Sequence, residues 1–126
     1  MEYEDFIRAV SELDFIQDEE EADSAVKAAL GILASRLDEE EARKLTEYLP
    51  NPLTYEKLRG HQLAETDISA EEYISEIAEQ FSLDEDQAQE LISTVLQVAK
   101  ETIGYETIAE LEQNLPDDWA EVIENA

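Results

Sequence analysis

The chain has 126 residues and carries 34 Asp and Glu residues against 8 Lys and Arg residues, a formal net charge of -26 at pH 7. Such a charge repels nucleic acid and anionic membranes, so we expect neither as a partner. The sequence contains no Cys, which excludes disulfides, thiolate metal sites and thiol catalysis.

The first predicted helix covers the N-terminal thirteen residues. Its apolar residues recur at the spacing of one helical face: Tyr3, Phe6, Ile7, Val10 and Leu13. This spacing predicts an amphipathic helix that ends near Leu13. Phe15 and Ile16 follow it and are predicted to fill the core from the connection to the next helix.

Two further helices are predicted up to Pro50. Asp18, with Glu21 three residues later, forms a capping-box pattern that predicts a second helix to about Leu37. Its apolar stripe consists of Ala22, Ala25, Val26, Ala29, Leu30, Leu33 and Leu37. Asp38 and Glu41 repeat the capping pattern and open a third helix, which Pro50 ends.

Periodicity fails in residues 51–68, which we interpret as a connector. Pro52 and Gly60 break the pattern, although 54–58 can form one short helical turn. His61, the single histidine, lies in this connector and is interpreted as a solvated linker residue. A di-iron helical bundle needs Glu-x-x-His on two helices, which one His cannot supply.

The fourth to seventh helices are predicted between residue 69 and the C-terminus. Ser69 with Glu72, and Asp84 with Gln87, are the capping pairs of the fourth and fifth helices. Their apolar faces consist of Tyr73, Ile74, Ile77 and Ala78, and of Ala88, Leu91, Ile92, Val95, Leu96, Ala99 and Ile103. Phe81 and Leu83 between the two helices are predicted to repeat the plug of Phe15 and Ile16.

Gly104 is predicted to end the fifth helix in a left-handed cap. The sixth helix should stop at Pro116, and Asp117 is predicted to cap a short last helix. Its residues Trp119, Val122 and Ile123 form an apolar face that should dock on the body. The alternative makes Trp119, with Tyr105, an exposed anchor for a partner.

The second half of the chain repeats the first at an offset of 66 residues. The matched pairs are Ala22 with Ala88, Ala25 with Leu91, Val26 with Ile92, Ala29 with Val95, Leu30 with Leu96, Leu37 with Ile103, Ala42 with Ile108, Leu45 with Leu111, Leu49 with Leu115, and Pro50 with Pro116. No stretch alternates with period two for more than a few residues, so no sheet is expected.

The predicted fold is therefore all-α, with two homologous three-helix repeats, residues 2–50 and 69–116. The two repeats pack into one bundle, a single domain of residues 1–126, because one three-helix unit of this length buries its stripe poorly alone. A short turn follows the first repeat, and a short helix of residues 117–124 follows the second.

The paired segments EDFIRAV and EEYISEI, the long Ala/Leu/Val helix after an acidic cap, and the endings LTEYLP and LEQNLP resemble the bacterial family called domain of unknown function 2267. The resemblance extends from Tyr3 to Val122. It implies a small helical protein without an assigned activity and offers no catalytic motif to carry over. This chain departs from the family in being unusually acidic, with few Arg residues near the repeat ends.

No catalytic, cofactor-binding or metal-binding residue is predicted. Asp84, Asp86 and Glu90 resemble a calcium loop, but the turn glycine is missing and the acids coincide with a helix cap. The three glycines stand apart, so there is no phosphate loop. With 34 carboxylates, a pair with the separation of a glycosidase site can be found anywhere and indicates nothing.

Two acidic runs are the candidate partner surface: Asp18, Glu19, Glu20, Glu21, Asp38, Glu39, Glu40 and Glu41. The competing interpretation is that these acids cap helices and interact favourably with the helix dipole.

The predicted function is a non-enzymatic interaction module that binds a basic protein or associates with itself. One alternative is that the acidity reflects a high-salt environment and an apolar ligand binds between the repeats. Another is a mimic of nucleic acid that binds basic proteins. The longest apolar run, 28–34, is far below the ~20 residues of a membrane span. The N-terminus is acidic where a signal peptide is basic, so we expect a cytoplasmic protein.

Overall fold

The computed structural model of the chain describes residues 2–59 and 68–126. Within these ranges there are eight α-helices and no β-strand, so the predicted all-α fold is confirmed. The helices, numbered α1 to α8 in chain order, are Tyr3–Ser11, Glu19–Arg36, Glu39–Glu47, Tyr55–Arg59, Ala70–Phe81, Glu85–Ile103, Tyr105–Gln113 and Asp117–Asn125. Most of the predicted connector, including His61, lies outside the described residues.

The two long helices α2 and α6 contact each other, and the shorter helices are arranged around them. Helix α1 packs on α2 and α6, and α5 packs on α6 and α2. Helix α3 contacts α7, α4 contacts α2 and α3, and α8 contacts α6 and α7. These contacts map onto one another when α1 to α4 are exchanged with α5 to α8, whereas the further contact of α5 with α8 has no matching contact of α1 with α4 of similar extent. A twofold relation between the halves would produce this pattern, and homologous repeats remain our interpretation of it.

One hydrophobic core includes residues from both halves of the chain. Its fully buried large side chains are Trp119, Tyr73, Phe6, Leu30, Leu37, Leu45, Leu53, Leu58, Ile77, Leu91, Ile92 and Leu111. The apolar stripes predicted from helical spacing lie in this core, since Ala22, Leu30, Ala88 and Leu96 are all buried. Ile16 is also buried, while Phe15, Phe81 and Leu83 are partly buried against the core.

Most of the predicted helix starts are confirmed in atomic detail. Carboxylates of Asp18, Asp38 and Asp84 each accept a hydrogen bond of 2.8 Å from the backbone N–H three residues later. Asp84 and Ser69 belong to complete capping boxes, because the side chains of Gln87 and Glu72 accept from the backbone N–H of their respective cap residues. Each box satisfies two of the free N–H groups at a helix start.

The other two predicted capping boxes are incomplete. The Glu21 carboxylate accepts from the Gln17 backbone N–H at 3.4 Å, one residue before the cap. The Glu41 side chain turns inward and is buried. In both cases only the hydrogen bond that the N-cap carboxylate accepts from a backbone N–H is formed.

Three predicted helix boundaries, two at the end of a helix and one at the start, need correction. Helix α1 ends at Ser11, two residues early, because the Leu13 N–H donates to Val10 in a tight turn. Gly104 has φ 100° and ψ 146°, a positive φ that suits glycine but is not the left-handed helical conformation. Asp117 is the first residue of α8 and not its cap, since the Pro116 carbonyl accepts the first helical hydrogen bond, from Ala120.

Candidate functional site

The two acidic runs of the predicted partner surface lie at opposite ends of α2. Asp18 to Glu21 form its start, whereas Asp38 to Glu41 follow its end and begin α3. A helix rises 1.5 Å per residue, so the 18 residues of α2 separate the runs by roughly 27 Å. The fold does not bring the two runs together into one patch.

The first run is a solvated helix start. Asp18, Glu19 and Glu20 are exposed, and the Asp18 side chain accepts from the Glu21 backbone N–H. Their negative charges lie at the positive end of the α2 dipole, where they stabilise the helix. This geometry fits the capping interpretation and leaves the outward-facing oxygens of Glu19 and Glu20 in solvent.

The second run is more constrained than the first. Glu39 forms an ion pair with Arg43 at 3.2 Å, and Glu40 is exposed. Glu41 is 9% exposed; its Oε1 lies 3.6 Å from Lys44 Nζ, and among the described residues its Oε2 has no hydrogen-bond partner. Glu41, followed by Glu110 and Glu40, raises the pKa of Lys44 because these carboxylates stabilise the charged ammonium.

Trp119, one of the two aromatic residues considered as an anchor, is a core residue. It is fully buried, its ring stacks on Tyr73 at 4.6 Å between centroids, and its indole N–H donates to the Ile68 carbonyl at 3.0 Å. The Tyr73 hydroxyl donates to the Ala29 carbonyl of α2 at 2.8 Å, and burial raises the pKa of Tyr73 far above its usual range. This pair joins α8, α5 and α2.

Tyr105, the other aromatic, is 71% exposed at the start of α7. Tyr48, at the end of α3, is also exposed. The anchor hypothesis is therefore wrong for Trp119 and compatible with Tyr105 alone.

A surface groove between α5, α6 and α8, which we call the α8 groove, was not predicted from the sequence. It encloses about 210 Å³ and has an aliphatic floor of Ile74, Ile92 and Val122. The polar residues around it are Gln89, Ser93, Asp118, Glu121 and Asn125. The α8 groove thus combines a small apolar recess with two carboxylates.

Asp118 also has a structural role at this groove. Its Oδ2 accepts a hydrogen bond of 2.8 Å from the backbone N–H of Ala70, the first residue of α5. This bond ties the start of α8 to the start of α5. The Glu121 carboxylate, by contrast, is exposed at the groove edge. A sequence signal for the site existed in the run of Asp118, Glu121, Val122 and Asn125 along one side of α8.

Positive charge is unevenly distributed around the molecule. Seven of the eight Lys and Arg residues precede residue 60, and Lys100 is the only one after it. The Lys100 ammonium donates to the carbonyls of Ile123 at 2.9 Å and Ala126 at 2.8 Å, so it caps the C-terminal end of α8. The surface of the second half therefore has no uncommitted Lys or Arg.

A smaller cavity lies between the two halves, with Leu33, Leu37 and Leu45 on one side and Leu96, Ile108 and Leu111 on the other. Its volume is about 10 Å³. A cavity needs roughly 10–15 Å³ to hold one water molecule, so this one holds no organic ligand.

Across the described ranges, no three His, Cys, Asp or Glu side chains are placed to hold a metal ion. In those same ranges, each helix is too short or too polar to cross a bilayer. Asp84 acts as a helix cap, and Asp86 and Glu90 are exposed on α6.

One family model matches the chain over residues 3–122, and its description is "Uncharacterized conserved protein (DUF2267)". Neither a curated protein nor a solved structure matches it.

Proposed function

The chain belongs to the DUF2267 family, whose description assigns no activity, and we propose that this member is a non-enzymatic interaction module that binds a basic protein partner. We also propose that this function is exercised in the cytosol.

The observation that supports the proposal is a negative surface that the molecule does not neutralise internally. The ion pairs among residues 2–59 and 68–126 are Asp5 with Arg8, Asp23 with Lys27, Glu39 with Arg43 and Glu41 with Lys44. Each joins residues three or four apart on one helix of the first half. In the second half, Lys100 donates to backbone carbonyls, and no carboxylate among the described residues of that half forms an ion pair.

Such a surface produces a field that acts over the Debye length, about 8 Å at physiological ionic strength. It accelerates encounters with positively charged proteins and slows encounters with nucleic acid or anionic lipid. The helical body adds shape to this field, because the packed helices determine from which points of the surface the acidic side chains project.

The test is capture of partners from a cell extract on the immobilised chain, with a polyglutamate resin as control. A partner of this module should remain on the folded chain, should be absent from the polyglutamate resin, and should be released as salt rises from about 50 to 500 mM. The control separates recognition by the fold from attraction by bulk negative charge.

Two results would contradict the proposal. The first is a set of captured proteins identical to that on polyglutamate. The second is retention of a partner that does not change with salt, since exposed charges are screened at high ionic strength.

Two alternatives use the same negative surface. In the first, the acids keep the protein hydrated in high salt, and the proposed apolar ligand would need space that the 10 Å³ cavity between the halves does not provide. In the second, the carboxylates mimic the phosphates of nucleic acid, and the captured proteins would be displaced by DNA or RNA. Competition with nucleic acid on the same resin distinguishes this case.

A further inference from the structure

The α8 groove differs from the rest of the negative surface because it has an apolar floor. Ile74 of α5 and Ile92 of α6 are almost fully buried, and Val122 of α8 is partly exposed between them. The three aliphatic side chains come from three different helices. They form a recess of about 210 Å³ that opens to solvent.

Two carboxylates line this recess, and among the described residues no ammonium or guanidinium group lines it. Asp118 and Glu121 stand on the α8 side. On the α6 side, Glu85 and Asp86 precede Gln89 by four and three residues, so they lie on the same side of the helix as this groove residue. Lys100, the sole Lys or Arg beyond residue 59, is committed to the end of α8.

We propose that the α8 groove receives one or two aliphatic side chains of a basic amphipathic helix in the partner protein. This inference rests on the proposed function and assigns it a surface. In this mode of recognition the apolar face of a helix enters a groove, and flanking Lys or Arg residues pair with acids at the edge.

The size of the recess favours side chains over a free small molecule. Pockets for organic ligands measure roughly 300–1,000 Å³ and bury most of the ligand. A recess of 210 Å³ that is open on one side is below this range. It accommodates the ends of aliphatic side chains of a larger molecule that binds across the groove.

The negative charge of the α8 groove determines which kind of molecule can bind in it. A second copy of this chain would bring its own net charge of -26 to the contact and would be repelled. A helix with Lys or Arg on either side of its aliphatic residues places positive charges opposite Asp118 and Glu121. Complementary charge selects such a partner against acidic or neutral helices.

The probe for the test is a synthetic amphipathic helical peptide with leucines on one face and lysines on the other. Its affinity is measured by fluorescence anisotropy in about 20 mM and 300 mM salt. Two matched peptides serve as controls: one with glutamine in place of lysine, and one with the two central leucines replaced by alanine. We expect the alanine peptide to bind at least about tenfold more weakly, because its truncated side chains no longer bury apolar surface in the recess.

Three variants of the protein locate the binding site. Ser93→Phe fills the recess from α6 and should weaken binding of the lysine peptide by about tenfold or more. Glu121→Lys reverses one charge at the groove edge and should weaken binding several-fold in 20 mM salt, with less effect in 300 mM salt. Glu79→Lys is the control, because it makes the same charge change at an exposed position of α5 that does not line the groove.

Chemical-shift mapping gives a second readout that does not depend on substitution. Methyl signals of Ile74, Ile92 and Val122 should shift on addition of the peptide, while those of Leu45, buried in α3, should not.

Four outcomes of these binding experiments would overturn different parts of the proposal. If Ser93→Phe binds normally and Glu121→Lys equals Glu79→Lys, bulk charge explains binding; the groove is overturned and the proposed function stands. If the glutamine peptide binds as well as the lysine peptide, the basic character of the occupant is overturned. A dimer that Ser93→Phe disrupts would make a second copy the occupant. If the wild-type chain does not bind the lysine peptide in 20 mM salt, the proposed function itself is contradicted.

Discussion

At the scale of single residues, the acids of this chain divide into those that cap helices and those that only face solvent. Asp18, Asp38 and Asp84 each accept a backbone N–H bond at a helix start. Glu90, by contrast, is exposed beyond the first turn of α6 and its side chain has no hydrogen bond within the described part of the chain. Identical charges therefore have opposite effects on folding, depending on their position along the helix.

Substitution of a cap should destabilise the fold, whereas substitution of a solvated acid should not. Asp84→Ala removes the bond to the Gln87 N–H and should lower the free energy of unfolding by about 1 kcal/mol. Glu90→Ala should leave it unchanged or raise it slightly, because one repulsive charge is lost. Urea denaturation of both variants tests the distinction, and equal destabilisation would contradict it.

Among the described residues, Glu41 is the one charged residue that is buried. Its Oε2 has no hydrogen-bond partner in the described residues, and its contact with Lys44 is a long, partly exposed one of 3.6 Å. Replacement of a buried ion pair by apolar side chains of similar size is often neutral or stabilising, whereas removal of one partner is costly when the other charge stays buried. The side chain of Lys44 is 40% exposed, so its ammonium stays hydrated when Glu41 is replaced.

We therefore expect Glu41→Met to raise the free energy of unfolding by about 1 kcal/mol. Glu40→Met is the matched control, because Glu40 is exposed on the same turn of α3 and should not gain from the apolar side chain. Thermal melts of the two variants measure the change in Tm that each substitution causes. A fall in the Tm of Glu41→Met would mean that the carboxylate has a compensating partner.

Helix caps were predictable at this scale because a capping bond joins residues three apart and is local in sequence. Asp117 was misassigned because Pro116 also suits a position just before a helix, and the sequence does not show which of the two supplies the first carbonyl. Ser82 ends α5 with φ 56°, a conformation that the sequence, without a glycine there, did not indicate. The inward turn of Glu41 depends on neighbouring helices and could not be predicted.

At the scale of elements, α8 depends on contacts that are distant in sequence. Trp119 lies in the core against Tyr73, and the Asp118 carboxylate accepts from the N–H of Ala70. At the other end of α8, Lys100 donates to the last carbonyls. The floor of the α8 groove exists only while this helix is docked.

Lys100→Met should loosen the end of α8. Hydrogen bonds from a charged donor contribute roughly 1.5–3 kcal/mol, so we expect a loss of about 1–2 kcal/mol in stability and faster hydrogen exchange in residues 119–126. Lys27→Met also removes one positive charge, but its ion pair with Asp23 is partly exposed, so a smaller loss is expected. Equal exchange rates in α8 of both variants would contradict the capping role of Lys100.

The existence and order of the helices were predictable because each has an apolar stripe and a start signal. The contacts between the two halves, such as α1 with α6 and α3 with α7, could not be predicted from the sequence. Helical spacing identifies which face of a helix is buried but not which helix covers it. The repeat at an offset of 66 residues suggested a paired arrangement, and the exchange pattern of the contacts is what such an arrangement would produce.

At the scale of the whole molecule, burial and neighbouring negative charge both oppose the ionisation of a carboxyl group, as Glu112 of α7 shows. Burial, and then the nearby carboxylate of Glu124, raise the pKa of Glu112, with Lys100 acting in the opposite direction. Because the folded-state pKa lies above the unfolded value, the folded state binds this proton more readily. The stability contribution of Glu112 therefore increases as pH falls through its folded pKa and is unfavourable at neutral pH.

Glu112→Gln should raise the Tm at pH 7, and the gain should shrink as the pH is lowered toward 4, where the wild-type carboxyl is itself neutral. Glu101→Gln removes one negative charge at an exposed position of α6 and provides the reference for a general charge effect. Calorimetric scans from pH 4 to pH 8 measure both. A gain for Glu112→Gln that equals that of the reference at every pH would contradict the specific shift.

The α8 groove depends on the packing of the whole molecule, and for this reason the sequence alone did not locate the candidate site. The acidic runs were visible in the sequence because they are contiguous, yet the fold places them roughly 27 Å apart. The groove residues Ile74, Ile92 and Val122 come from three helices separated by dozens of residues. Periodicity assigned all three to buried faces, and only the packed structure leaves a recess between them.

We predict that the hydrophobic core holds the fold together despite the charge, which leaves the acids available to a partner. Far-UV circular dichroism of the purified chain, from about 10 mM to several molar salt, tests it by shortening the Debye length from ~30 Å to ~3 Å. We predict a complete helix signal already in dilute buffer, with little change as salt rises. Helix that appears only at high salt would contradict the claim and would identify the acidity as an adaptation to a saline environment.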